Sequence, residues 1–163
     1  MGFQERTIAD HKERLNKVLA YIQENLDGPL SLETLSRVAC FSPFHFHRVF
    51  AANIGEPLNA YIRRLRLEKA AFDLCHSEET ITQIALSVGY ETAAAFTKAF
   101  KQYFGKNPSE FKKNLPSFQE MVDSIKQNWE QLNLSPPKFS PPFDIKRALF
   151  REEIPATIPI RRE

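Results

Sequence analysis

Cysteine, glycine and long apolar runs are all scarce in this sequence, and each scarcity removes a class of protein. Two cysteines among 163 residues, Cys40 and Cys75, cannot build a disulfide framework and fall outside any CxxC spacing. Both are therefore expected to be small buried hydrophobes. Only five glycines occur, and none sits in a Gly-rich phosphate loop or a nucleophile motif. With no paired-carboxylate arrangement either, an enzyme is not expected. No run approaches the roughly 18 apolar residues of a membrane span. The N-terminal MGFQERTIADHKERL lacks the apolar core of a secretory signal, so the expectation is a cytoplasmic protein with no membrane partner. Net charge is also small: 22 lysines and arginines against 20 acids leave +2, a weak argument for any anionic partner until the distribution is considered.

Phenylalanine, by contrast, is abundant at 14 residues, and 42% of the chain is hydrophobic, enough for the core of one domain of ordinary size. Local punctuation divides the chain into helices. Residues 7–26 place Ile8, Leu15, Val18, Leu19, Ile22 and Leu26 at helical spacing and stop at Asp27-Gly28-Pro29. Ser31 reads as the N-cap of a short helix, with Leu32, Leu35 and Val38 inward. After a tight turn at Cys40-Phe41, Ser42 with Pro43 opens the next helix, which ends at Gly55. Pro57 leads into a long helix over 58–75, about 27 Å at 1.5 Å per residue. Thr80 caps another short helix, Gly89 ends it, Glu91 and Thr92 begin a longer one that stops at Gly105, and Pro108 starts a last turn.

The chain repeats itself. SLETLSRVACFS (31–42) aligns with TITQIALSVGYE (80–91) at an offset of 49, setting Leu35 on Ile84 and Phe41 on Tyr90. Beyond the turn the offset becomes 50, setting Phe46 on Phe96, Phe50 on Phe100 and Gly55 on Gly105. Each copy is a short helix, a turn and a longer helix, which is a helix-turn-helix rather than a solenoid repeat. The fold class that follows is all-α: two helix-turn-helix subdomains joined by a long central helix, then a short helix and a Pro-rich tail with little regular structure.

Helical angles sort the two longer helices into faces. In the first, Phe46, Val49 and Phe50 point inward, while Phe44, His47, Arg48 and Ala51 point outward and His45 sits to one side. In the second, Phe96, Ala99, Phe100 and Tyr103 point inward, and Ala94, Thr97, Lys98 and Lys101 outward. Charge gathers nearby. Arg48, Arg63, Arg64, Arg66 and Lys69 stand against Glu56 and Glu68, and Lys98, Lys101, Lys106, Lys112 and Lys113 against Glu110. A solvated helix face accounts for either cluster alone. The combination with a helix-turn-helix points to double-stranded DNA, whose major groove receives the second helix of each unit. Adjacent major-groove faces lie about 34 Å apart, a separation that two units on one rigid connector suit. Arg48 can fork onto guanine, Phe44 can lie against thymine methyls, and His47 can bond a base or phosphate. Lys98 and Lys101 can hold phosphates, but the alanines at 93–95 offer no hydrogen bonds, so the first unit should read sequence more stringently. His45 and His47 are two apart, about 200° around a helix, with no ligand at i+3 or i+4, so no metal and no cofactor is expected.

The stretch LSRVACFSPFHFHRVFAANIGEPLNAYIRRLRLEKA and, more diagnostically, ITQIALSVGYETAAAFTKAFKQYFGKNPSEFKK resemble the DNA-binding domain of the AraC/XylS family of transcription regulators, over residues 8–113. The shared pattern is an I-x-x-I-A helix, a G-[FY] turn, a helix with F-x-x-x-F, and F-G-x-x-P. The resemblance implies a transcription regulator binding two adjacent major grooves as a monomer; it suggests an activator, although the residues do not distinguish activation from repression. Its base-contacting positions fall on Phe44, His47 and Arg48, and on Ala93, Ala94, Thr97 and Lys98; alanines depart here from members with glutamine or serine. It also implies RNA polymerase as a partner.

A DNA-binding unit placed first resembles the Rob-type order, in which a connecting helix, here 114–135, and a linker precede a domain similar to the gyrase-inhibitor fold. SPPKFSPPF reads as that linker, and 136–163 as the linker plus the start of a truncated or degenerate effector domain. A small-molecule effector is expected only where a fuller C-terminal domain exists. The competing readings are a tail that docks on the DNA-binding unit or on polymerase, and a protein-interaction or effector-sensing module that no longer reads sequence.

Overall fold

The computed structural model describes residues 2–114 and, beyond them, the helical positions 120, 123 and 127. The connecting helix, linker and tail expected after Asn114 otherwise lie outside the described residues. Among the described residues up to Asn114, seven helices follow in order: α1 (Phe3–Glu24), α2 (Leu32–Val38), α3 (Pro43–Ile54), α4 (Leu58–His76), α5 (Ile81–Ser87), α6 (Ala93–Phe104) and α7 (Pro108–Lys113). None of them is long and apolar enough to cross a membrane.

The expected caps are in place. The side chains of Ser31, Ser42 and Thr80 accept from the backbone N–H groups of Thr34, His45 and Gln83, each satisfying one of the donors a helix leaves open at its start. Thr92 caps α6 in the same way, and Asn107 forms a capping box with Glu110 at α7. Helix α1 starts earlier than the sequence reading placed it, at Phe3 rather than Thr7, and ends at Glu24. Nothing in FQER stops a helix, whereas Asn25 turns back on the carbonyl of Tyr21 and ends it.

The repeat is exact in its geometry. Helices α2 and α5 begin 49 residues apart, α3 and α6 50 residues apart. Both turns carry the same hydrogen bonds, Cys40 to Arg37 and Phe41 to Ser36 in one, Gly89 to Leu86 and Tyr90 to Ala85 in the other. Gly55 and Gly105 end α3 and α6 in the left-handed conformation, at φ 85° and 76°.

Each unit has its own core. Leu15, Val18, Leu19, Ile22 and Leu26 pack with Leu35, Phe46, Phe50 and Ile54 in the first; Ile84, Val88, Phe96, Phe100, Phe104 and Phe111 fill the second. The central helix serves both: Leu58, Tyr61, Ile62 and Leu65 enter the first core, and Leu67, Ala70, Ala71 and Leu74 the second. At 19 residues, α4 is about 28 Å long. The inward faces are as the angles require, with Ile54 and Phe104 extending each stripe by a turn and Val49, Ala99 and Tyr103 only half-buried at its edge. The side chain of Ile8 lies outside the described residues.

Two expectations are corrected. Cys40 is exposed, not buried, and Cys75 is half-buried. Cys40 occupies the left-handed position of its turn at φ 53°, where Gly89 stands in the second unit. That backbone directs its side chain to solvent. Arg64, counted among the basic residues available to a partner, is 3% exposed and lies inside the protein.

Candidate nucleic-acid interface

Helix α3 is positioned by Ser42 at its N-terminus, Gly55 at its C-terminus, and the burial of Phe46, Phe50 and Ile54. This fixes its rotation, leaving Phe44, His47 and Arg48 on the outside and Ala51 half-buried beside them. Phe44 is 74% exposed, which no core function explains. Four residues on, the Arg48 guanidinium lies over the Phe44 ring, 5.8 Å from its centroid. The stacked pair presents a flat apolar surface with a fork of donors above it, the combination that meets a thymine methyl beside a guanine. His45 turns away from this pair. Its ring meets Phe41 edge-on at 5.0 Å and His11 at 5.5 Å, tying α3 to the turn and to α1. Arg14 completes that cluster, stacking on Phe41 at 5.1 Å and donating to the carbonyl of Cys40 at 2.9 Å.

Helix α6 is held likewise, by Thr92, Gly105 and the burial of Phe96, Phe100 and Phe104. Ala94, Lys98 and Lys101 are exposed, and Ala93 and Thr97 are half-buried at the edge of the same face. The surface is thus smooth and cationic, with one hydroxyl.

The structure divides the basic clusters into committed and available groups. Arg66 donates to the carbonyls of Leu26 and Gly28, both at 2.9 Å. Lys69 pairs with Asp73 at 2.8 Å, and Lys112 donates to the carbonyls of Ser77 and Glu79. Arg48, Arg63, Lys98, Lys101 and Lys113 remain exposed. Arg63 is the functional candidate the sequence reading did not separate from its neighbours. It lines a cleft of about 590 Å³ between the two units, bordered by Asp27–Ser31 ahead of α2, by Asn59 and Arg66 of α4, and by Gly89–Glu91 ahead of α6. Part of the signal is in the sequence: Asn59, Arg63 and Arg66 recur at helical spacing along one edge of α4, although the buried Ala70 shares that stripe and Ile62 borders it. Inside the cleft Tyr90 is held above the usual phenol range by burial, with Arg63 and Arg66 pulling the other way.

Behind these surfaces lies a buried polar cluster. Arg64 donates through Nε to Glu56 Oε1 at 3.1 Å, through Nη2 to the same carboxylate, and through Nη1 to Glu68 Oε1 at 3.4 Å. The Tyr103 hydroxyl of α6 donates to Glu68 Oε1 at 3.1 Å. Among the described residues no group of three or more histidine, cysteine or acidic side chains could hold a metal ion.

A family model described as a helix-turn-helix domain matches residues 35–114, the span from α2 to the end of α7. Residues 35–114 are a tandem helix-turn-helix domain related to those of transcriptional regulators. An uncharacterised HTH-type transcriptional regulator of Staphylococcus aureus (strain MRSA252) is 31% identical to the chain over 122 residues, 75% of this chain and 16% of the relative. Another, from Haemophilus influenzae, is 35% identical over 103 residues, 63% of this chain and 35% of the relative. The chain therefore matches only a minor part of the length of these relatives. Among solved structures, the C-terminal domain of AraT, a response regulator from Geobacillus stearothermophilus, superposes with a TM-score of 0.60 at 29% identity, covering 64% of this chain and 88% of that one. A probable AraC family transcriptional regulator from Rhodopseudomonas palustris gives 0.55 at 27% identity, over 62% and 95% of the two chains. The tandem domain is thus similar to the helix-turn-helix domains of transcriptional regulators, AraC-type members among them.

Proposed function

We propose that this protein is a sequence-specific double-stranded DNA-binding transcription regulator of the AraC/XylS type. It lays α3 and α6 in two successive major grooves as a monomer. The observation that carries the reading is the exposed Arg48–Phe44 stack on a helix whose other face is locked into the core. Phe44, His47, Arg48 and Ala51 form the base-reading surface, with His45 at its margin. Ala93, Ala94 and Thr97 supply methyl and hydroxyl contacts in the second groove, while Lys98 and Lys101 hold phosphates. Arg63, in the cleft between the units, faces the strand that crosses from one groove to the next. RNA polymerase is the protein partner of this reading, and the cytoplasm its compartment; a small-molecule effector belongs to it only with a fuller C-terminal domain.

Selection of bound duplexes from a random-sequence pool tests the proposal. Two preferred boxes about one helical turn apart support it. A single box beside an unconstrained flank limits base reading to α3. No enrichment transfers the chain to the second reading, a protein-interaction module, which the hydrogen-bond-poor surface of Ala93, Ala94 and Ala95 favours.

A further inference from the structure

Of the described charged groups, those least explained by the surface are the ones inside. Glu56 follows the end of α3, Arg64 and Glu68 belong to α4, and Tyr103 belongs to α6, so one cluster joins the end of the first unit to the reading helix of the second. Glu68 is 2% and Arg64 3% exposed. With both carboxyls ionised, two negative charges would face one positive charge in a dry site. Such an excess charge is far costlier to bury than a neutral acid. The atoms agree: Glu68 Oε1 accepts from Tyr103 and Arg64, while Glu68 Oε2 is buried with no hydrogen-bond partner. A bare half-charge there costs more than an unpartnered O–H.

We propose that Glu68 is a proton-dependent positioning residue: its protonated form keeps the Glu56–Arg64–Glu68–Tyr103 cluster neutral and holds α6 in register with α3, and its ionisation loosens that register. The proposal rests on the DNA-binding reading above. Burial pushes the Glu68 carboxyl up to about 8, against the opposing pull of Arg64 and Tyr103 and with a further push from Glu56. The groups facing it are Arg64 on its own helix, Glu56 from the loop after α3, and Tyr103 from α6. Because the folded protein keeps a proton that the unfolded chain releases near the ordinary carboxyl value, the stabilisation is complete below that value and is lost as pH rises through about 8. Affinity for a duplex that engages both units at once should fall over the upper part of the same window. Affinity for a duplex that engages only one should not.

The test measures binding of the full chain at constant ionic strength from pH 6.5 to 9, on a selected two-box duplex and on one retaining only the first box. The one-box duplex controls for every group on α3. The expected result is a two-box to one-box affinity ratio that declines above the midpoint, by no more than about tenfold per pH unit for one linked proton. Glu68→Gln, which imitates the protonated acid, should match the wild type at low pH and be flat throughout. Tyr103→Phe removes a bond that favours the ionised form, so it should move the midpoint upward. A ratio independent of pH in the wild type overturns the proposal while leaving DNA binding intact, as does a slope that survives in Glu68→Gln. Should Glu68→Gln fail to fold, an unmoved midpoint in Tyr103→Phe overturns it. Absence of binding to every duplex refutes the DNA reading and this proposal with it.

Discussion

Gly89 offers the sharpest test of how the two units are fastened together. It sits in the turn of the second unit at φ 84°, and a Cβ added there would lie 2.6 Å from the carbonyl oxygen of Leu26 and 2.8 Å from both Cζ and Nη2 of Arg66. Neither neighbour is free to yield. Leu26 is buried, and the Arg66 guanidinium is held by the carbonyls of Leu26 and Gly28. Gly105 provides the reference, with φ 76° and nothing within 4 Å of an added Cβ. Gly105→Ala should therefore cost only the left-handed backbone, about 1–2 kcal/mol. Gly89→Ala carries the same backbone cost and also displaces Arg66, whose charged hydrogen bonds are worth roughly 1.5–3 kcal/mol each. With one of the two bonds lost, its total should be about 2.5–5 kcal/mol. Urea unfolding followed by far-ultraviolet circular dichroism measures both variants, with Cys40→Gly as the converse. That change relieves an l-residue at φ 53° and should stabilise by about 0.5 kcal/mol after the entropy of the added glycine is deducted. If Gly89→Ala and Gly105→Ala cost the same, the Arg66 bridge does not constrain the turn and the reasoning is wrong.

Four other outcomes are expected. Arg48→Ala should weaken binding to the selected duplex by about 1–3 kcal/mol and relax preference at one base pair; equal loss on all sequences in competition assays would move Arg48 to the phosphate-binding group. Lys101→Ala should weaken binding to every sequence alike and reduce the slope of log K against log salt by about one, and a sequence-selective loss would contradict that role. Arg63→Ala should behave like Lys101→Ala on two-box duplexes and have no effect on a one-box duplex; unchanged salt dependence on both would remove Arg63 from the interface. Phe96→Ala, emptying a fully buried site in the second core, should cost about 3–5 kcal/mol in chemical denaturation, and a variant as stable as the parent would refute the assignment of that helix face.

How much of this was legible before the structure depends on the range of the interaction involved. Ser31, Ser42 and Thr80 announce helix starts because capping is decided within three residues. Phe46 and Phe50, with Phe96 and Phe100, announce buried faces because a helix repeats every 3.6 residues. Once those faces are buried, the opposite ones must be exposed, which is why the outward placement of Phe44, Arg48 and Lys98 could be read from spacing. Cys40 departs from expectation because a buried-cysteine tendency is a property of the residue type, whereas its exposure goes with a left-handed turn. Its alignment with Gly89 was the available clue.

The sequence by itself determined the helices, their ends apart from those of α1, the two-copy arrangement and the rotation of α3 and α6, since caps, prolines, glycines and apolar periodicity are local. Only the tertiary structure decided which charges are free. Arg64 and Glu68, four residues apart, look like any surface pair along a helix. They are buried because Glu56 and Tyr103 arrive from 8 and 35 residues away to satisfy them. Arg66 is likewise committed to carbonyls 38 and 40 residues distant, while Arg63, which lines the same cleft, is left exposed. Whether a cation serves a partner or the fold is settled by which acceptors the rest of the chain brings to it. That proximity is a property of the packed core rather than of any local window of sequence.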